Sequence, residues 1–276
     1  MDLIVFDLDG TLLNAASKIS AYTQETLERL SERGIAYTVA TGRTLHASRE
    51  VLESHEFSLP QAYKNGVVIW NPSQQDYSHQ NFLTLSEIQH VLEAVLLQKI
   101  TPFMFTLEPG NVHAIYHAPL QTEAEERLVA DFRSRSGLGV FPASDMPADA
   151  EITNVSALGE PRGIDAVQAM IADEPGLVAY AGTALEGSKL KWIDIHHVDA
   201  SKGNAVDVLR DELGASRVLC FGDSDNDLSM FATADESYAP SNAKPEVLAA
   251  ATAVIGHHDE DGIARFLRER FGLDSA

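Results

Sequence analysis

Asp7 and Asp9 stand one residue apart in Asp7-Leu8-Asp9-Gly10-Thr11, directly after the apolar run Leu3-Ile4-Val5-Phe6. Four apolar residues ending on such a segment suit a parallel-sheet strand buried on both faces, and Gly10 lets the chain turn sharply as it leaves. That turn can swing Asp9 back toward a ligand above the strand end, so that both carboxylates address one small site. Two ionised carboxylates so close repel each other and raise one pKa. A hard divalent cation removes that penalty, and magnesium suits a site that also holds phosphate. Asp-Gly is also common turn punctuation, which leaves a plain turn as the alternative.

Three further segments carry groups of the same kind. Ile35 to Ala40 reads as a second buried strand and ends in Thr41-Gly42-Arg43, where a helical pattern through Leu45, Val51 and Leu52 begins. A hydroxyl, a glycine and a helix start can receive phosphate oxygens, because the first backbone N–H groups of a helix lack partners. A simple helix cap by Thr41 is the alternative. In Ala200-Ser201-Lys202-Gly203-Asn204 a lysine at a helix opening can place a point charge beside a phosphate. Arg217 to Phe221 is another apolar strand, ending in Gly222-Asp223-Ser224-Asp225-Asn226-Asp227. These oxygen donors suit a hard cation, although carboxylates also favour a helix N-terminus for dipole reasons alone.

Taken in order, the segments resemble the four motifs of the haloacid dehalogenase superfamily of phosphatases. Asp7-Leu8-Asp9-Gly10-Thr11 looks like the first motif, Thr41 matches the hydroxyl of the second, Lys202 the lysine of the third, and Gly222-Asp223 with Asn226-Asp227 the fourth. Asn65-Gly66-Val67 resembles the Asn-Gly-Ala segment of the Cof-type branch, with Val67 in place of alanine and a structural turn as the competing reading of Asn65. Pro240-Ser241-Asn242-Ala243 and Asp261-Gly262-Ile263-Ala264 resemble tail segments of the same branch. The resemblance implies an α/β fold with a Rossmann-like parallel-sheet core and an inserted α+β cap. It implies Mg2+ bound by Asp7, Asp223 and the main-chain carbonyl of Asp9, with Asp227 in support. Asp7 is then the nucleophile that becomes an aspartyl phosphate, Asp9 the general acid and base, and Thr41, Gly42, Lys202, Asn226 and Asn65 contact phosphate or substrate. Asp225 has no counterpart.

The elements that must position these groups fall into two sets. Residues 1–81 and 189–276 carry every motif and form the expected catalytic core. Residues 82–188 hold helical patterns at Leu85 to Leu97 and Thr122 to Arg133, alternating with strand-like runs at Val112 to His117 and Leu177 to Ala181. That reads as a separate α+β unit, in the place of the family's substrate-selecting cap. Trp192 to Ile195 is read as a strand of the core, and His196 and His197 as loop or surface groups. His257 and His258 receive no role.

The chain's 276 residues include 41 acidic and 20 basic ones, a formal net charge of −21, which disfavours nucleic acid and anionic membrane as partners. Asp7 interrupts the short apolar N-terminal run, so neither signal peptide nor membrane span is expected and a cytoplasmic protein is the default. The single cysteine, Cys220, reads as a buried strand residue without catalytic function. Residues 82–188 hold fifteen acidic against five basic residues, which favours monophosphates of neutral sugars or polyols over polyphosphates. Flavin mononucleotide or pyridoxal phosphate comes next. A phosphomutase or phosphotransferase and a receiver-type module switched by aspartyl phosphorylation are the rival functions, and no oligomeric partner is indicated.

Overall fold

The computed structural model describes residues 1–52, 54–135, 137–184 and 189–274, with backbone alone at 79 and 80. In chain order the strands are β1 (Asp2–Phe6), β2 (Ala36–Val39), β3 (Gln61–Tyr63), β4 (Val68–Asn71), β5 (Asp76–Gln80), β6 (Phe103–Glu108) and β7 (Val112–His117), then β8 (Leu138–Pro142), β9 (Glu151–Gly159), β10 (Leu177–Thr183), β11 (Lys191–His197), β12 (Arg217–Phe221), β13 (Glu236–Pro240) and β14 (Ala253–Ile255). The α-helices are α1 (Ala21–Glu32), α2 (Leu45–Leu52), α3 (Leu85–Leu97), α4 (Glu123–Ser134), α5 (Pro161–Ile171), α6 (Lys202–Leu213), α7 (Leu228–Thr233), α8 (Pro245–Ala250) and α9 (Gly262–Phe271). None of the helices among the described residues is long and apolar enough to cross a membrane.

The chain divides into two compact units, Met1–His79 with Ala200–Ala276, and Gln80–Asp199. In the first, a five-stranded sheet runs β14-β13-β12-β1-β2 with every pairing parallel. Alternation sorts its residues: Ile4, Phe6, Leu219 and Phe221 enter one apolar cluster, while Leu3, Val5, Val218 and Cys220 enter another. A strand apolar at every position is therefore buried on both faces, and Cys220 is a fully buried packing residue. Burying each such large side chain is worth about 1.5–3 kcal/mol. A parallel bridge from Ala40 to Ala62 leads from the end of β2 to the small sheet β3-β4-β5.

The second unit holds a six-stranded sheet, β10-β11-β9-β6-β7-β8, antiparallel except at β7 and β8. Its α3 and α4 begin with full capping boxes, Thr84 with Glu87 and Thr122 with Glu125. Ile88, Val91, Val95, Ile164, Val167 and Ile171 pack on one face of this sheet with Val155, Ile193 and Ile195.

Two expectations need correction. The strand at Trp192 to Ile195 is not part of the core: β11 lies between β9 and β10, so the second unit continues to Asp199. The expected end at 188 lies outside the described residues. His196 is likewise no loop or surface group; it sits in β11 and is buried, with the Tyr180 ring 5.9 Å away.

Candidate active site

The motif-bearing residues gather at the carboxyl ends of β1, β2 and β12 and at the opening of α6, all within the first unit. That edge is where open α/β sheets bind ligands. Asp7 continues the ladder, its N–H donating to the Phe221 carbonyl at 2.9 Å. The chain then closes a wide turn over Leu8–Leu12, with Leu13 N–H reaching the Leu8 carbonyl at 2.9 Å. Gly10 takes φ +75°, and a Cβ there would fall 2.5 Å from Asp223 Oδ2. Glycine is thus required twice over, for backbone angle and for the space that the Asp223 carboxylate occupies.

Lys202, the first residue of α6, is entirely buried. Its Nζ donates to Asp7 Oδ1 at 2.5 Å and to Asp227 Oδ1 at 2.6 Å. The other Asp227 oxygen accepts from the N–H groups of Asp223 and Ser224, at 2.8 and 2.9 Å. Asp227 is therefore fully engaged by protein donors. Asp223 accepts from Thr11 Oγ1 at 3.0 Å and from Ser224 Oγ at 3.1 Å.

One carboxylate oxygen from each of Asp7, Asp223 and Asp227 lies within 4.8 Å of the others. Burial pushes the Asp7 carboxyl well above the ordinary range; Lys202 opposes the shift, and the charges of Asp227 and Asp223 add to it. Asp223 is raised too, first by burial and then by Asp227. For Lys202, burial works against the charge, but Asp227 and Asp7 outweigh it and hold the ammonium above its usual value. Three acids against one lysine leave an excess of negative charge, and every donor is a hard oxygen. The set fits a hard divalent cation, with Asp7 and Asp223 the carboxylates better placed to hold it.

Thr41 is buried at the end of β2, the strand paired with β1. Its Oγ1 accepts from Arg43 N–H at 3.1 Å, while Thr44 caps α2 by accepting from Ala47 N–H at 3.1 Å. The capping alternative for Thr41 is thereby excluded. Asn65 does lie in a tight turn at φ +56°, yet its Oδ1 accepts from Asn226 Nδ2 at 2.8 Å. A Cβ on Gly42 would sit 3.2 Å from that same Oδ1. Thr41, Gly42, Asn65 and Asn226 are thus brought together.

Asp9 is placed differently from the expectation. Its carboxylate is not one of the three clustered acids: both of its oxygens are taken by Arg43, from Nε at 2.6 Å and from Nη2 at 2.5 Å. Hydrogen bonding to Asp9 is also the main reason the Arg43 guanidinium is held above its usual pKa. Arg43, though within the quoted Thr41-Gly42-Arg43 segment, had no role in the sequence reading, and neither had Thr11. His258, also without a role there, meets the Leu13 carbonyl through Nδ1 at 2.7 Å. Asn242 Nδ2 donates to the Gly10 carbonyl at 2.8 Å. The only sequence signal for Asn242 and His258 was their position in or beside the tail segments.

A family model for haloacid dehalogenase-like hydrolases matches residues 4–267. The putative phosphatase YxeH of Bacillus subtilis is 28% identical over 273 residues, covering 97% of each chain. The 5-amino-6-(5-phospho-D-ribitylamino)uracil phosphatase YwtE of the same organism is 29% identical, again over 97% of each. The structure of a HAD subclass IIB sugar phosphatase superposes with a TM-score of 0.77 at 20% identity, over 99% of this chain and 100% of that one. At that identity the likeness shows the fold.

Proposed function

From the premise that the chain belongs to the haloacid dehalogenase-like hydrolases and is a phosphatase of that family, we propose that it hydrolyses small phosphomonoesters of sugars or polyols with the help of Mg2+. The observation that carries this reading is the buried chain Asp7–Lys202–Asp227 at the end of β1, with Asp223 beside it.

Asp7 and Asp223 would hold the cation together with the main-chain carbonyl of Asp9, and Asp227 supports from behind through its bonds to Lys202, Asp223 and Ser224. Bound there, magnesium offsets charge between nucleophile and phosphate and polarises the phosphoryl group. Lys202 aims Asp7 Oδ1, while Oδ2, which has no hydrogen-bond partner among the described residues, attacks phosphorus. The P–O bond to the leaving alcohol breaks as Asp9 gives that oxygen a proton. Water then attacks the aspartyl phosphate, Asp9 takes the proton from it, and phosphate departs with Asp7 regenerated. Thr41 Oγ1, Lys202 Nζ and the Asn226–Asn65 pair hold the equatorial oxygens. Phosphomonoester hydrolysis is among the slowest uncatalysed reactions, and enzymes supply up to about 10²¹-fold, so several such contacts are required.

The Gln80–Asp199 unit is assigned substrate choice. Its excess of acidic residues supports a neutral polyol or sugar on the phosphate. A second reading, a ribityl phosphate that carries a heterocycle, is favoured by the activity for which the YwtE relative is named. Phosphate release from a panel of sugar, polyol, flavin, pyridoxal and nucleotide phosphates, with magnesium and then with a chelator, tests both. Metal-dependent release led by sugar or polyol esters is expected; nucleoside triphosphates leading by kcat/KM would refute the substrate class.

A further inference from the structure

Asp9 is expected to move protons, yet both of its oxygens are occupied by one guanidinium. A carboxylate with both oxygens turned to a guanidinium fork faces Arg43 and not a leaving alcohol. The pair does not belong to the buried framework. The Asp9 side chain is 54% exposed and that of Arg43 24%, whereas the side chains of Lys202 and Asp227 are buried. The Asp9 end of the pair is open to water, which can take over the carboxylate's hydrogen bonds when Arg43 turns to another anion.

Arg43 is also anchored where phosphate is expected. Its own N–H donates to Thr41 Oγ1, and its Nη1 reaches the Ala47 carbonyl at 3.3 Å in the first turn of α2. The N–H bond fixes the main chain of Arg43, so the guanidinium changes anions by side-chain rotation and gives up only the long contact to Ala47. Its fork matches phosphate oxygens as well as it matches a carboxylate, and a phosphomonoester dianion carries twice the charge of Asp9.

We propose that Arg43 is a positioning residue that parks Asp9 in the substrate-free protein and exchanges it for the substrate's phosphoryl oxygens, so that phosphate binding and release of Asp9 are one event. This rests on the reading of Asp9 as acid and base. In its consequence, an empty site keeps its proton carrier engaged, and an ester that reaches the site frees it. Asp9 and phosphate then compete for Arg43, which a binding measurement can detect without any turnover.

The test is the affinity of inorganic phosphate, by calorimetry with magnesium supplied, for the parent, Asp9→Asn, Arg43→Ala and the double variant. Removing the competing carboxylate should tighten phosphate by about threefold or more in the presence of Arg43, and this gain should vanish in the Arg43→Ala background. Arg43→Ala alone should loosen phosphate by about tenfold and raise KM by a similar factor, with Arg43→Lys recovering part because it returns the charge without the fork. Equal tightening in both backgrounds, or none in either, overturns the parking and leaves the acid–base reading intact. Turnover of an alkyl phosphate by Asp9→Asn at the parent rate is the separate result that overturns the acid–base reading. Circular dichroism checks that each variant is folded, and Arg43→Gln replaces Arg43→Ala if the smaller side chain unfolds α2.

Discussion

Asp227 in the first unit and Glu125 in the second are both buried carboxylates, at 0% and 1% exposure, and they are held by different means. Glu125 accepts from three backbone N–H groups, those of Thr101, Gln121 and Thr122, at 2.9, 2.6 and 2.9 Å. It pins a loop to the start of α4 as part of a capping box. Asp227 also takes two backbone N–H groups, but its other oxygen faces Lys202, which bridges to Asp7. One acid closes a local network of dipoles; the other belongs to a chain of full charges that a ligand can rearrange. A buried carboxylate marks a reaction centre when its partners are themselves charged and shared.

The contrast is broken most severely by Asp7→Asn, which should leave a folded protein with kcat lower by about 10⁴-fold or more. Substantial residual phosphate release would remove Asp7 as nucleophile. Lys202→Met should strand two buried carboxylates and cost about 3–5 kcal/mol in urea unfolding. Magnesium at about a hundred times its Kd should stabilise the first unit by about 2.7 kcal/mol, and hydrogen exchange should show no such protection in the second. Glu125→Gln should cost about 1–3 kcal/mol, because an amide NH₂ would face backbone donors. If it matched Lys202→Met, the distinction between the two acids would fail.

The smallest effect is a dependence on pH. Asp223 is raised above its unfolded value by burial and by Asp227, so its ionised form penalises the metal-free fold. That penalty is fully present above the folded pKa and disappears as pH falls toward the unfolded value. Asp223→Asn should therefore raise the Tm of the metal-free protein at neutral pH, with the advantage shrinking on acidification. A difference that grows on acidification would contradict the cause assigned to the shift.

Asp7, Asp223 and Asn226 could be singled out as candidates because each follows an apolar run that ends at the edge of the parallel sheet, and Lys202 because it opens a helix. β11 was legible as a strand but not as a member of its sheet, since alternation in Trp192 to Ile195 describes faces and says nothing of neighbours. His196 continues that alternation on the face opposite Ile193 and Ile195 and is buried; the lack of metal-ligand spacing around it, which suggests a loop or surface group, says nothing of burial. The pairing of Asp9 with Arg43 had no sequence signal beyond proximity of motifs, because it depends on how the ends of β1 and β2 stand side by side. Thr41 and Thr44 could not be told apart as caps without the true start of α2.

The parallel neighbours of β1 are β2 on one side and β12 on the other, with Leu3 matched to Val218 and Phe6 to Phe221. β1 thus waits for a strand translated after the entire Gln80–Asp199 unit. That intervening unit is contiguous, and its sheet needs no residue from either flank. On the ribosome it can fold while Leu3 to Phe6 still lack their second edge. Non-local pairing of this kind is slow and leaves apolar strands open to aggregation. Asp7 is synthesised well before its surroundings, since Lys202, Asp223, Asn242 and His258 all follow the Gln80–Asp199 unit. A ribosome stalled before β12 should carry a folded insert and no phosphatase.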